Sequence, residues 1–137
     1  MLDTTQVNWL AVLVAAVAHQ AVGFIWYGLV FAKTWQDATG RTDAEIRASG
    51  GATQALIIGS IGALVMASAF ALLLTLAPDR TITTGVIWGA LLGIGFVATT
   101  TVINGAYEAR KPLVTALFAG YETVALMVMG AILTAIR

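Results

Sequence analysis

Cysteine is absent, which excludes disulfides, thiolate metal sites and a cysteine nucleophile. Histidine occurs once, at His19, so no all-histidine metal site can form within one chain, and a lone histidine argues against haem. No cofactor and no metal are expected. Proline is scarce: Pro78 falls in a tight turn, and Pro112 suits the first turn of a helix, where its missing N–H costs nothing. Charge is scarce as well, at 10% of residues against about 25% in a soluble domain. Seven Lys and Arg balance seven Asp and Glu, leaving no basic footprint for nucleic acid. Metalloprotease, nucleophile-elbow, phosphate-loop and paired-carboxylate motifs are all missing, so no enzyme is expected.

Apolar residues fill the rest. They make up 59% of the chain, and mean hydropathy is +0.89. Four apolar runs cover about 7–32, 52–77, 82–106 and 112–136, each longer than the roughly 20 residues that cross a bilayer. The segment before the first run has no Lys or Arg, so that run is expected to be a retained helix and not a cleaved signal. The fold class is therefore all-α integral membrane. A single transmembrane domain over 1–137 forms a four-helix bundle with short turns and one longer loop, 33–51. In that loop, Thr42-Asp-Ala-Glu45 has capping-box spacing and predicts a short interfacial helix over about 43–48, ended by Gly50-Gly51. Lys33, Arg41, Arg47, Arg110 and Lys111 lie on one side of the membrane, with Arg80 and Arg137 on the other. This bias places the longer loop in the cytoplasm and both termini outside.

Small residues recur every fourth position. The first run carries Ala11, Ala15, His19, Gly23 and Tyr27. The second carries Ala55, Gly59, Ala63, Ala67 and Ala71, and the third a tandem GxxxG at Gly85, Gly89 and Gly93. Such stripes let helix backbones approach closely in lipid. Two uses are open: packing within the chain, or self-association into a homo-oligomer through the third run.

The last run holds one charged residue, Glu122. A carboxylate near the middle of a membrane helix costs about 2.5–3.5 kcal/mol and is too short to reach either interface. It needs compensation or a proton. His19 sits at matching depth in the first run, and an antiparallel pairing of the two runs brings them together. The pair reads as a buried pin fixing helix register, as a site handling a proton or cation, or as two unrelated polar groups. Tyr121, Tyr27, Gln20, Thr100 and Asn104 are the candidates to surround the pair, although Tyr121 and Thr123 flank Glu122 and their helix positions point about 100° away on either side. Gln20 adjoins His19. Thr100 and Asn104 continue the face of Gly89 and Gly93 in a straight helix, while Thr99 and Thr101 bond to their own backbone. Trp9, Trp26, Tyr27, Phe31, Trp35 and Tyr107 fit an interfacial belt. Trp88 lies deeper, and Trp26 with Trp88 offers a wall for an organic cation.

Asn8-Trp9 opens the first run; Trp26-Tyr27-Gly28 with Phe31, Lys33 and Trp35 closes it, followed by Gly40. Asn104, Arg110-Lys111-Pro112-Leu113, Gly120-Tyr121 and Met129-Gly130-Ala131-Ile132 complete the landmarks. Over essentially the whole chain, this order resembles the small bacterial four-span proteins of domain of unknown function family 1761. In the family pattern a histidine often follows the Gly-Tyr, where this chain has Glu122, so the resemblance implies a polar position without fixed chemistry. It implies a multi-pass protein of the bacterial cytoplasmic (inner) membrane and brings no activity with it. Two functions are carried forward. One is a transporter or channel-like protein for protons, cations or small organic molecules centred on Glu122. The other is an accessory or structural subunit whose polar pair only fixes packing.

Overall fold

A computed structural model describes residues 1–136, with residues 51 and 52 described by their backbone alone; Arg137, counted above, lies outside them. The first helix starts where Asn8 takes an extended backbone and its side-chain oxygen accepts from the N–H groups of Leu10 and Ala11. Two of the orphan amides of the first turn are thereby satisfied. This helix, α1 (Trp9–Phe24), runs into a π-helical turn, Ile25–Val30, and breaks at Phe31.

The loop is more helical than its composition predicts. Ala32–Thr39 forms α2, closed by Gly40 at φ 70°, and Asp43–Ala48 forms α3. α3 begins with the expected capping box: Thr42 Oγ1 accepts from the Glu45 N–H, and the Glu45 carboxylate accepts from the Thr42 N–H. The Thr42 N–H donating to the carboxylate, with the Thr42 hydroxyl beside it, holds the Glu45 carboxyl below the usual carboxylate range. Gly50, at φ 61°, turns the chain into α4 (Gly51–Leu74), which ends a few residues short of the apolar run.

The third span is α5 (Ile82–Leu92), a π-helical segment (Gly93–Ala98) and α6 (Thr99–Tyr107), and α7 (Pro112–Ala135) is the fourth, with Pro112 in its first turn. There are no strands among the described residues. Trp9–Val30, Thr53–Leu74, Ile82–Tyr107 and Pro112–Ala135 are long and apolar enough to cross a membrane.

α7 organises the bundle. It packs along α5, α6 and their π segment on one side and along α1 on the other, while α4 packs mainly on α1. The packed layer is small-residue and aromatic: Ala15, Ala63, Ala67 and Met129 are fully covered, with Phe70 and Leu126 nearly so. Gly59 meets the Gln20 side chain of α1, but Ala55 is exposed, so the predicted stripe on α4 serves only from Gly59 onward.

The tandem GxxxG is used inside the chain. A methyl at Gly85 would lie 2.6 Å from the carbonyl carbon of Gly130, one at Gly89 2.7 Å from Met127 Cα, and one at Gly93 2.7 Å from Thr123 Cα. All three obstacles are the α7 backbone, and Gly130 meets Gly85 in return. Of the two uses open to this stripe, the structure shows packing within the chain: α7 occupies the face. In lipid, where water exclusion contributes little between helices, such backbone proximity is a main source of packing energy.

The π segment has a second consequence. An i→i+5 turn holds one more residue than an α turn, so everything after it rotates by roughly 100° relative to a straight helix. The covered positions run Gly85, Gly89, Gly93 and on to Gly105, where a methyl would meet Thr115. Thr100, expected on the glycine face, is exposed and donates to the Phe96 carbonyl.

At the end holding the termini, Asp3 caps a 3-10 turn (Thr4–Gln6), and Arg80 donates to the carbonyl and the side-chain oxygen of Gln6. The Asp3 N–H donates to Thr75 Oγ1, tying the N-terminal segment to the end of α4.

Candidate functional site

α1 and α7 run antiparallel in contact, and their fixed rise per residue brings equal depths together. His19 Nε2 lies 3.2 Å from Glu122 Oε2. The histidine is 4% exposed, on the stripe with Ala11 and Ala15, whereas the Glu122 side chain keeps 24% exposure. Tyr121, expected on another face, also belongs here. Its hydroxyl is 3.2 Å from His19 Nδ1 and 3.3 Å from Nε2, and it covers Gly23 one turn along α1. It joins the pair although its helix position points aside, because a tyrosine spans far more than its Cα direction, and glycine at position 23 leaves room for the ring.

The geometry admits two proton arrangements. With Glu122 ionised, His19 Nε2–H donates to the carboxylate and Nδ1 accepts from the Tyr121 hydroxyl. With Glu122 protonated, its O–H donates to Nε2, and Nδ1–H donates to the Tyr121 oxygen. Adding one proton to the group and switching the imidazole tautomer therefore reverses both hydrogen bonds without moving a heavy atom. A carboxylate–imidazole–phenol row of this kind can store a proton and pass it along.

Glu122 also borders a cavity of about 430 Å³ between the π-helical turn after α1, α6 and α7, lined by Tyr27, Thr101, Asn104, Glu108, Phe118 and Tyr121, with Val97 and Arg110 completing the wall. Glu108 and Arg110 pair with each other at its loop end. Ala109 between them takes φ 51°, a left-handed cap unusual for alanine, and the Arg110 guanidinium sits 5.3 Å from the centre of the Phe118 ring. A separate cavity of about 410 Å³ opens at the terminal end, bordered by Gln6, Asn8, Thr75, Asp79 and Arg80. Along α1, α4 and α7 the buried layer of Ala15, Ala67, Phe70, Leu126 and Met129 stands between the two.

Other expected members fall elsewhere. Asn104 reaches the cavity wall despite its exposure, because the π segment turns it there. Gln20 points away to α4, donating to Ser60 Oγ at 2.8 Å and to the Leu56 carbonyl. Thr123 donates to its own helix at the Ala119 carbonyl. The proposed wall of Trp26 and Trp88 does not form: Trp26 packs on Gly120 and Phe31, Trp88 packs against the apolar core, and neither lines the cavity. Trp9 and Tyr107 face outward as belt residues do, but Trp26, Tyr27 and Trp35 are half-buried. The wide π turn lets the consecutive Trp26 and Tyr27 both face α7, where Tyr27 meets Tyr121 and Phe118.

Sequence reasoning missed Phe118, Thr101, Glu108 and Arg110. A signal existed for the first, since Phe118, Tyr121 and Glu122 stand at i, i+3 and i+4 on one helix face. Thr101 and Asn104 on α6, with Glu108 just past its end, form a similar row, hidden by the π turn upstream.

Residues 10–134 match a family described as protein of unknown function (DUF1761). No curated protein and no solved structure matches the chain.

Proposed function

We propose that this chain, which belongs to the DUF1761 family, is a small transport or channel-like membrane protein, not an enzyme, that handles a proton, a cation or a small organic molecule at Glu122. The observation that carries the reading is the two-sided setting of this carboxylate. One side is hydrogen-bonded to a buried imidazole, and the other borders a cavity. A pin that only fixes helix register gains nothing from a cavity beside it, because access to water lowers the worth of the pair. A packed apolar layer between this cavity and the terminal end supports a site loaded from one side at a time. Tyr121 and His19 supply the proton row, and Tyr27 and Asn104 line the approach.

Glu122→Gln tests it. The amide keeps the shape and still bonds to imidazole, but it cannot ionise. Proton flux into liposomes carrying the variant is expected to fall to the level of protein-free vesicles, while thermal stability in detergent stays within about 1 kcal/mol of wild type. Wild-type flux in Glu122→Gln would leave the alternative, an accessory subunit whose polar pair sets packing.

The reading includes an orientation in the cytoplasmic membrane of a bacterium, with both termini outside and α2 and α3 inside, supported by the excess of Lys and Arg beside those helices. A cysteine at Ser49 should resist an impermeant maleimide applied to intact cells and react after permeabilisation. Strong labelling from outside reverses the orientation. Self-association belongs to the same reading, on faces other than the glycine stripe, since only 11% of the third span's most apolar window is buried within the chain.

A further inference from the structure

We infer that the cavity beside Glu122 is a binding site for a small organic cation, held against the rings of Tyr27, Phe118 and Tyr121 and neutralised by the Glu122 carboxylate. The inference rests on the reading of Glu122 as a working ionisable group and adds the class of its cargo.

The rings form the corner of a box. Tyr27 stands 5.3 Å from Tyr121 and 5.9 Å from Phe118, centre to centre, with interplanar angles of 64° and 63°. All three border the same cavity as Glu122. Perpendicular aromatic walls expose negative ring faces in more than one direction, which suits a compact cation with apolar substituents. Phe118 already receives one: the Arg110 guanidinium lies over it at 5.3 Å. Arg110 is paired with Glu108, so those two charges cancel, and ionised Glu122 leaves the lining with one net negative charge. A bare metal ion fits less well, because hard cations demand a full shell of oxygens and three of the lining side chains are aromatic rings. At about 430 Å³ the cavity lies near the small end of ligand sites. A monovalent cation and a proton satisfy the same carboxylate, so occupancy by one opposes the other.

Tetramethylammonium is the probe, titrated calorimetrically into the protein in lipid nanodiscs, with potassium and the neutral, similarly shaped tert-butanol as comparisons. Saturable binding of tetramethylammonium alone is expected. Phe118→Leu and Tyr27→Leu should each weaken it about 2- to 30-fold, Phe118→Tyr should restore it, and Trp88→Leu should leave it unchanged. Retained affinity in Phe118→Leu, or equal binding of tert-butanol, overturns the inference. So does absent binding in a protein whose proton flux still requires Glu122, a result that leaves the transport reading standing. Loss of that reading is registered separately, by unchanged flux in Glu122→Gln.

Discussion

Gly85→Ala should destabilise the bundle by about 3 kcal/mol, the upper part of the usual range for overpacking. The added methyl would meet the carbonyl carbon of Gly130 at 2.6 Å and Thr134 Oγ1 at the same distance. Thr134 is itself fixed by its bond to the Gly130 carbonyl, so neither neighbour can swing aside as a flexible side-chain end would. The only relief is separation of α5 from α7. That forfeits contacts along the whole crossing, including Gly89 on Leu126 and Gly93 on Thr123. Gly130→Ala should behave alike. Gly62→Ala and Gly95→Ala are the controls, because a methyl at either meets nothing within 4 Å. Unfolding in mixed detergent, followed by circular dichroism, reads the difference. Crosslinking of the folded fraction should show the oligomer distribution of wild type, since the stripe faces its own chain. If Gly85→Ala matched Gly95→Ala in stability, the crossing would not be as close as described. A changed oligomer with unchanged stability would return the stripe to an intermolecular role.

The second large effect belongs to the polar pair. His19→Ala should lower stability by about 1–3 kcal/mol, because it leaves the Glu122 carboxylate without the partner 3.2 Å away and strips the Tyr121 hydroxyl of its ring nitrogens. Glu122→Ala should cost less, toward the lower end of that range. The imidazole it leaves behind keeps Tyr121, and the lost carboxylate had been part-solvated by the cavity. The double variant should be more stable than the sum of the two losses predicts, with a coupling of about 1 kcal/mol. Tyr121→Phe should shrink that coupling only modestly, because it removes the outer member of the row. Additive losses in the cycle would mean that the imidazole and carboxylate do not interact, and the proton row would go with them.

Much of this chain can be read from its letters. Hydropathy alone sets the number of spans, because an apolar helix of that length has nowhere else to go. Local chemistry sets several ends: Asn8, Thr42 with Glu45, and Pro112 act within one turn of themselves and need no distant partner. Depth is legible too, since rise per residue is fixed, and that is why His19 and Glu122 could be paired across the chain. Direction around the helix axis was legible only where the helices stay regular. The wide turn at Gly93–Ala98 rotated Thr100 outward, and the one at Ile25–Val30 set Trp26 and Tyr27 side by side against α7. Neighbour order was decided by the tertiary structure alone. Hydropathy is blind to which apolar face meets which, whereas close packing is not: α7 became the centre because Gly130 and Thr123 admit the Gly85, Gly89 and Gly93 stripe on one side while Glu122 and Tyr121 meet His19 on the other. The cavity follows from that order. It lies between the wide turn after α1 and α6 over α7, and no residue in it announces the space, because empty volume is a property of three packed segments and not of any one sequence.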